Sequence, residues 1–261
     1  MFNGLLLHLM QYTLKKSLGQ HFLKDENICR KIVAALQEHD FERLLEVGPG
    51  GGALTKYLLQ LPGIAFKAIE LDDEKVQYLL HTYPALQGKL LHEDFLKADI
   101  PFENEFTVVG NFPYNISSQI LFKILDWYPK VPVVTGMFQK EVAQRVASKP
   151  GSKVYGILSV LVQAYYKVEY LFDVPQGCFN PPPKVMSGVI RLTRKPAEVN
   201  AKSRKHFFML VKTAFNQRRK TLRNAVRGLF EEDVLKDDIF NKRAEQLGID
   251  DFAQLTFRMK I

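Results

Sequence analysis

The chain has 261 residues, of which 46% are hydrophobic and 25% are charged, the profile of a globular protein with an ordinary core. No apolar run approaches the roughly 20 residues that span a bilayer, and the apolar start at residues 1–10 lacks the basic region of a signal peptide. Cys29 and Cys178 lie far apart and form no ligand cluster. We therefore expect a reduced, cytoplasmic protein without a membrane anchor or a metal.

The positive charge is concentrated in one stretch. The chain has 36 Lys and Arg against 28 Asp and Glu, a net charge of +8. Residues 199–230 contain nine Lys or Arg and no acidic residue, which leaves 27 basic against 28 acidic residues elsewhere. So one-sided a distribution indicates a polyanion as partner.

Apolar runs and amphipathic stretches alternate along the first two thirds of the chain. The predicted strands are Arg43–Val47, Ile64–Leu71, Lys89–His92, Phe106–Gly110, Val131–Met137, Tyr166–Val174 and Ser187–Leu192. The predicted helices are Ala53–Leu61, Asp73–Tyr83, Ser117–Trp127 and Gln139–Ala147. This alternation predicts an α/β fold with a doubly wound, mostly parallel sheet of seven strands, and the last two strands are close enough to form an antiparallel edge.

After Pro196 the strand pattern stops, and residues 201–261 have the pattern of short helices with breaks near Gly228 and Gly248. We therefore predict two domains. The first, at residues 13–196, contains the sheet, and the second, at residues 197–261, is a small helical domain that contains the whole basic stretch.

A glycine-rich loop follows the first predicted strand and precedes a helix. Gly48, Gly50 and Gly52 allow a tight turn and let a ligand approach the backbone closely. Gly48, Gly50 and Ala53 also satisfy the dinucleotide pattern G-x-G-x-x-G/A, so the loop alone does not choose between cofactors.

Acidic residues end the next two predicted strands. Glu70 lies 22 residues after Gly48, where a carboxylate can accept hydrogen bonds from both hydroxyls of a ribose. Asp94 follows the third strand and can accept from an adenine amine. Either residue alone has the alternative role of a helix N-cap, but together with the glycine loop they favour an adenosine-containing ligand.

The segment Asn111-Phe112-Pro113-Tyr114 follows the fourth predicted strand. The exocyclic amine of adenine is a poor nucleophile because its lone pair is delocalised into the ring. An Asn side-chain carbonyl and a nearby backbone carbonyl can each accept one of its N–H groups, which directs the lone pair toward an incoming methyl group. Pro113 adds no competing N–H, and Tyr114 offers a ring for stacking.

The sequence closely resembles the ribosomal RNA adenine dimethyltransferase family, in its bacterial small-subunit branch. The matching motifs are Ser17–Leu23, Glu46–Gly50, Gly110–Tyr114, Phe179–Val185 and Phe215–Arg223. The resemblance implies a Rossmann-like class I methyltransferase fold. It also implies that S-adenosylmethionine is used to dimethylate two adjacent adenosines near the 3′ end of 16S rRNA, within an immature small ribosomal subunit, and we expect a monomer.

The resemblance also implies residue roles. The catalytic residues are Asn111, Phe112, Pro113, Tyr114 and Phe179, the last as a second ring opposite Tyr114. The cofactor-binding residues are His21, Leu23, Gly48, Gly50, Glu70, Asp94 and Asn111, although position 21 is often Asn in the family and position 112 is commonly Leu.

Within the basic stretch, Arg219, Arg223 and Arg227 recur every four residues and are predicted to line one helical face. With Lys212, Arg218 and Lys220, they are candidates to bind RNA phosphates and to orient the RNA without identifying its bases.

Three alternatives stay open at this point. Methylation of large-subunit rRNA is the nearest, although Pro181–Val185 and Asn216–Lys220 resemble the small-subunit branch more closely. A ribosome-assembly factor with secondary catalysis is the second. A nicotinamide dehydrogenase is the third, and it leaves Asn111–Tyr114 and the basic stretch unexplained.

Overall fold

The computed structural model describes residues 21–260. The apolar start at residues 1–10, the predicted domain start at residue 13 and the Ser17–Gln20 part of the first motif lie outside the described residues.

The predicted elements of the sheet region follow one another in the predicted order. The observed elements are β1 (Phe22–Leu23), α1 (Glu26–Leu36), β2 (Arg43–Val47), α2 (Thr55–Leu58), β3 (Ala65–Glu70), α3 (Asp73–Thr82), β4 (Leu90–His92), β5 (Thr107–Asn111), α4 (Ser117–Asp126), β6 (Val133–Gln139), α5 (Lys140–Ala147), α6 (Ile157–Tyr165), β7 (Tyr166–Val174), β8 (Phe179–Asn180), β9 (Ser187–Arg194), α7 (Arg204–Asn216), α8 (Leu222–Ala225) and α9 (Ile249–Thr256). Of these, β1, α1, α6 and β8 are additions that the sequence pattern did not predict.

Seven strands form one sheet in the order β4-β3-β2-β5-β6-β9-β7. The pairs β2–β3, β3–β4, β2–β5 and β5–β6 are all parallel. From β2 the chain adds β3 and β4 on one side of the sheet. It then returns and adds β5 and β6 on the other side of β2. Ligands of such sheets bind outside the carboxyl ends of the strands at this reversal, which here lies between β2 and β5.

The strands are buried because helices cover both faces of the sheet. Leu44, Leu45, Val108 and Val109 are all fully buried, although consecutive residues point to opposite faces. The predicted mostly parallel α/β fold is therefore confirmed.

Helix α1 was not predicted from the sequence. Its N-cap is Asp25, whose carboxylate accepts from the backbone N–H groups of Asn27 and Ile28. Ile28, Ile32 and Leu36 recur every four residues and are buried along one face. The helix thus has both an N-cap signal and an apolar stripe.

The described residues divide into two compact units, residues 21–143 with 170–192, and residues 144–169 with 193–260. In the second unit, α7 packs against α6, α8 and α9, around the buried rings of Tyr155, Phe207 and Phe252. The second unit includes α6, which precedes residue 196, so the division of the chain into domains at that residue stays a prediction.

Candidate active site

A pocket lies at the carboxyl ends of β2, β3, β4 and β5. It is lined by Gly48–Gly50 after β2, Glu70 and Leu71 at β3, Glu93–Leu96 after β4, Asn111–Ile116 from β5 onward, and His21 and Phe22 from the N-terminal segment. The glycine loop, both predicted acids and the catalytic turn therefore open into one cavity.

The glycine loop adopts backbone conformations that other residues rarely take. Gly50 has a φ of +57°, and a Cβ built there would lie 3.1 Å from the ring of Phe22. Gly52 has a φ of +80°, and a Cβ there would lie 2.4 Å from the Tyr83 ring. A side chain is therefore strained at both positions by the positive φ, and at Gly52 it would also overlap the Tyr83 ring.

Glu70 is 8% exposed and already has several hydrogen-bond partners. Its Oε2 accepts from the backbone N–H of Gly50 at 3.0 Å, and its Oε1 accepts from the N–H groups of Leu71 and Asp72, each at 3.0 Å. A carboxylate offers about four acceptor positions, so one remains, on Oε2. In this geometry Glu70 both fixes the loop and has room for a single hydroxyl donor.

Asp94 borders the pocket and also closes the turn that follows β4. Its Oδ1 accepts from the backbone N–H of Leu96 at 2.9 Å, and in the described residues between β4 and β5 no helix follows for it to cap. Its Oδ2 lies 3.9 Å from the ammonium of exposed Lys97. Asp94 is one of the residues that line the pocket, and Oδ2 is the carboxylate oxygen that the Leu96 N–H does not use.

The side chain of Asn111 is held by the N-terminal segment. Its Nδ2 donates to the backbone carbonyl of His21 at 3.2 Å. Because this bond uses the amide nitrogen, the amide oxygen is the atom left to accept from a substrate. That polarity is the one needed to bind an amine.

The side chain of Phe112 is buried in the sheet, although the residue borders the pocket. The ring is 1% exposed and packs against Phe138 with centroids 4.9 Å apart. Gly110 and Gly136 leave the space for this ring, since a Cβ at either would lie 2.8 Å or 2.2 Å from its atoms. With its ring fixed in the sheet, Phe112 contributes its backbone to the pocket wall.

Tyr114 is restrained at its ring face and at its hydroxyl. The ring of His21 stacks on it with centroids 5.6 Å apart and an interplanar angle of 30°. Its hydroxyl shares a hydrogen bond with the Oγ of Ser187, which is fully buried at the start of β9. Burial raises the pKa of Tyr114, so the phenol stays neutral and able to donate.

The structure does not bring Leu23 and Phe179 to the pocket wall. The two residues pair across β1 and β8, and their side chains belong to the hydrophobic core, with exposures of 4% and 1%. The same pairing brings His21 to the site, where its Nδ1 lies 3.0 Å from the carbonyl oxygen of Pro181. A second ring opposite Tyr114 is therefore not formed by Phe179 in this arrangement.

A buried acid in β2 is bonded to the first residue of α2, the helix that follows the glycine loop. Glu46, in β2, is 2% exposed, and its Oε2 accepts from the hydroxyl of Thr55 at 2.7 Å. Burial raises the pKa of Glu46 to about 8, and the nearby negative charge of Glu70 acts in the same direction. This side chain is therefore mostly protonated near neutral pH.

Comparison with known proteins identifies the family. The sequence pattern of the ribosomal RNA adenine dimethylase family matches residues 11–257. The chain belongs to this family.

The chain is also similar to proteins named ribosomal RNA small subunit methyltransferase A. It is 52% identical to the one from Flavobacterium johnsoniae, over 94% of this chain and 95% of the relative. It is 50% identical to the one from Cytophaga hutchinsonii, over 93% of this chain and 95% of the relative.

Solved structures agree on the fold. A dimethyladenosine transferase from Plasmodium falciparum superposes with a TM-score of 0.76 at 28% identity, covering 90% of this chain and 96% of that one. The 23S rRNA methyltransferase ErmE superposes with a TM-score of 0.67 at 23% identity, over 92% of this chain and the full length of the other, which shows the shared fold.

The basic stretch does not form the continuous helix that the spacing of its arginines predicts. Helix α7 ends at Asn216, a turn follows, and α8 begins only at Leu222. The prediction that Arg219, Arg223 and Arg227 share one helical face is therefore wrong. The N–H of Leu222 donates to the carbonyl of Lys242 at 2.7 Å, so it cannot join a continuous helix.

Several of the predicted RNA-binding side chains have partners within the protein. Arg223 donates through its Nε to the carbonyl of Leu235 at 2.9 Å, and Arg227 pairs with exposed Glu232 at 3.3 Å. The Lys212 ammonium lies 5.9 Å from the centre of the Phe208 ring. Arg219 and Lys220 are exposed.

Sequence reasoning missed Phe22 and Ser187. Phe22 lines the pocket and lies under the ammonium of buried Lys75, 5.2 Å from its ring centre. Ser187 follows the Phe179–Val185 motif, and its proximity to that motif is the signal that could have found it.

Within residues 21–260 no group of three or more His, Cys, Asp or Glu is arranged to hold a metal ion. In the same range no helix is both long and apolar enough to cross a membrane.

Proposed function

We propose that the protein dimethylates the N6 amines of two adjacent adenosines near the 3′ end of 16S rRNA, using S-adenosylmethionine. The observation that carries the proposal is that the turn Asn111–Tyr114 lines the same pocket as the glycine loop and the carboxylates of Glu70 and Asp94. Similarity to proteins named small subunit methyltransferase A supports the choice of 16S over 23S rRNA.

S-adenosylmethionine supplies an activated methyl group when bound, and the chain's residues position the amine. The Oδ1 of Asn111 accepts one N–H of the adenine amine, because Nδ2 is already bonded to His21. The backbone carbonyl of Phe112 accepts the other. The two bonds direct the nitrogen lone pair and stabilise the positive charge that develops on it. Tyr114 supports the ring of the base, and water takes the released proton.

The residues present fit an adenosine-containing cofactor. Gly48–Gly50 and Asp94 line the pocket, and Glu70 has one acceptor position left for a ribose hydroxyl. Calorimetric titration with S-adenosylmethionine and with NAD, in parallel, tests this assignment. Binding of NAD in preference to S-adenosylmethionine would contradict it.

The catalytic role of the turn is tested by Asn111→Ala. Loss of one charge-stabilising acceptor should lower kcat by about 100- to 1,000-fold while the affinity for RNA is retained. The readout is mass spectrometry of 16S rRNA after incubation with enzyme and cofactor. Asn27→Ala, an exposed asparagine in α1, is the control and should be fully active. Full activity of Asn111→Ala would end the proposal.

We further propose that a monomer acts in the cytoplasm on 16S rRNA within an immature small subunit. Cys29 and Cys178 are both free thiols, which suits a reducing compartment. Comparing methylation of naked 16S rRNA with that of partly assembled subunits tests the substrate, and sedimentation tests the oligomeric state.

A further inference from the structure

The loop at residues 148–154, between α5 and α6, is held in place by hydrogen bonds that its backbone N–H and carbonyl groups make. The N–H of Gly151, which has a φ of +84°, donates to the carbonyl of Glu245 at 2.7 Å. The side-chain amide of Gln163 donates to the carbonyl of Ser148 at 2.7 Å, and the N–H of Ser152 donates to the carbonyl of Lys149 at 3.2 Å. The conformation of the loop is therefore set before any ligand arrives.

Arg218 joins this loop to the turn at residues 217–221. Its Nη2 donates to the backbone carbonyl of Lys153 at 2.5 Å, and its Nε lies 4.0 Å from a carboxylate oxygen of Glu245. The guanidinium thus connects two segments that are 65 residues apart. Arg219 and Lys220 follow directly, so they lie within a few residue lengths of Lys153.

The joined segments expose four positive charges. Lys149, Lys153, Arg219 and Lys220 are all exposed, and none of their side chains has an acidic partner within residues 21–260. The compact unit that contains them has 20 Lys and Arg against 10 Asp and Glu, whereas the rest of the sequence has 16 against 18. A fixed backbone that carries exposed positive charges without acidic partners is the combination expected of a phosphate-binding surface.

We infer that the loop at residues 148–154 is part of the RNA-binding surface, with Lys149 and Lys153 contacting phosphates beside those bound by Arg219 and Lys220. The inference rests on the proposed function, because it takes rRNA as the substrate. Lysines act as point charges, so these contacts position the RNA backbone and do not select its sequence.

The test compares the double variant Lys149→Gln/Lys153→Gln with wild-type protein in binding to unmethylated 16S rRNA at 50 to 200 mM salt. Each phosphate contact contributes roughly 0.7 to 0.9 to the slope of log affinity against log salt, so the slope should fall by about 1.4 to 1.8. Over that fourfold range of salt, wild-type protein should lose about tenfold more affinity than the double variant. The kcat at saturating RNA should not change.

The control is Lys31→Gln/Lys89→Gln, which removes two exposed charges from the other compact unit. An unchanged slope in the loop variant, or an equal change in both double variants, would overturn the inference while leaving the proposed function intact. If wild-type protein itself binds the rRNA without salt dependence, or does not methylate it, the proposed function fails instead. Thermal unfolding of each variant checks that the fold is preserved.

Discussion

The hydrogen bond between Tyr114 and Ser187 predicts that a serine directly behind the pocket wall affects catalysis. Ser187 is fully buried, so Ser187→Ala leaves the largely buried hydroxyl of Tyr114 without its partner. An unsatisfied buried hydroxyl costs about 1–3 kcal/mol. If the poorer orientation of the Tyr114 ring removes about 1–2 kcal/mol of transition-state stabilisation, kcat/KM should fall by roughly 5- to 30-fold.

A double-mutant cycle separates this positioning role from a loss of stability. Transfer of radiolabelled methyl groups to 16S rRNA is measured for Ser187→Ala, for Tyr114→Phe and for the double variant. Because the two side chains contact each other, the double variant should be no less active than the poorer single variant. Ser159→Ala, which removes an equally buried and hydrogen-bonded serine, is the control for destabilisation. Additive losses in the cycle, or full activity of Ser187→Ala, would refute the reasoning.

Three further predictions follow from the site and the basic segment. Glu70→Gln replaces an acceptor of the Gly50 N–H with an amide, and calorimetry should show about 10- to 100-fold weaker binding of S-adenosylmethionine. Glu46 is protonated in both the folded and unfolded chains below about pH 4.5; as the pH rises toward 8 only the unfolded chain ionises, so the stabilising contribution of Glu46 is lost. Between pH 5 and 8 the free energy of unfolding of wild-type protein should therefore fall by on the order of several kcal/mol more than that of Glu46→Gln, as measured by denaturant unfolding. Arg223→Ala should lower the free energy of unfolding by about 1–2 kcal/mol with little change in RNA affinity, whereas Arg219→Ala should weaken RNA binding without changing the unfolding midpoint.

The strands and the backbone part of the site were predictable because they depend on local sequence. Buried parallel strands need unbroken apolar runs, and such runs mark β2, β3 and β5 to within two residues of their observed ends. Parallel strands also bring their carboxyl ends to one edge. The convergence of Gly48, Glu70, Asp94 and Asn111 therefore followed from the order of the motifs alone.

The contacts between distant segments were not predictable in the same way. The pairing of β1 with β8 joins residues about 160 positions apart, and it sets both the place of His21 and the burial of Phe179. The end of α7 also depends on tertiary structure, because the N–H of Leu222 bonds to the distant carbonyl of Lys242. A regular four-residue spacing of arginines predicted a helix there, but spacing does not show where a backbone donor finds its partner.

The burial of Phe179 bears on which ring lies beside the target base. Moving a phenylalanine side chain from the core into the pocket costs about 1.5–3 kcal/mol, and stacking on a base returns about 1–3 kcal/mol. The two terms nearly cancel, so a clamp formed by Phe179 gains little. His21 already stacks on Tyr114 and is held by the Pro181 carbonyl without any rearrangement. These magnitudes favour His21 over Phe179 as the ring that limits the space over Tyr114, and a base that stacks on Tyr114 without displacing His21 must use the opposite face.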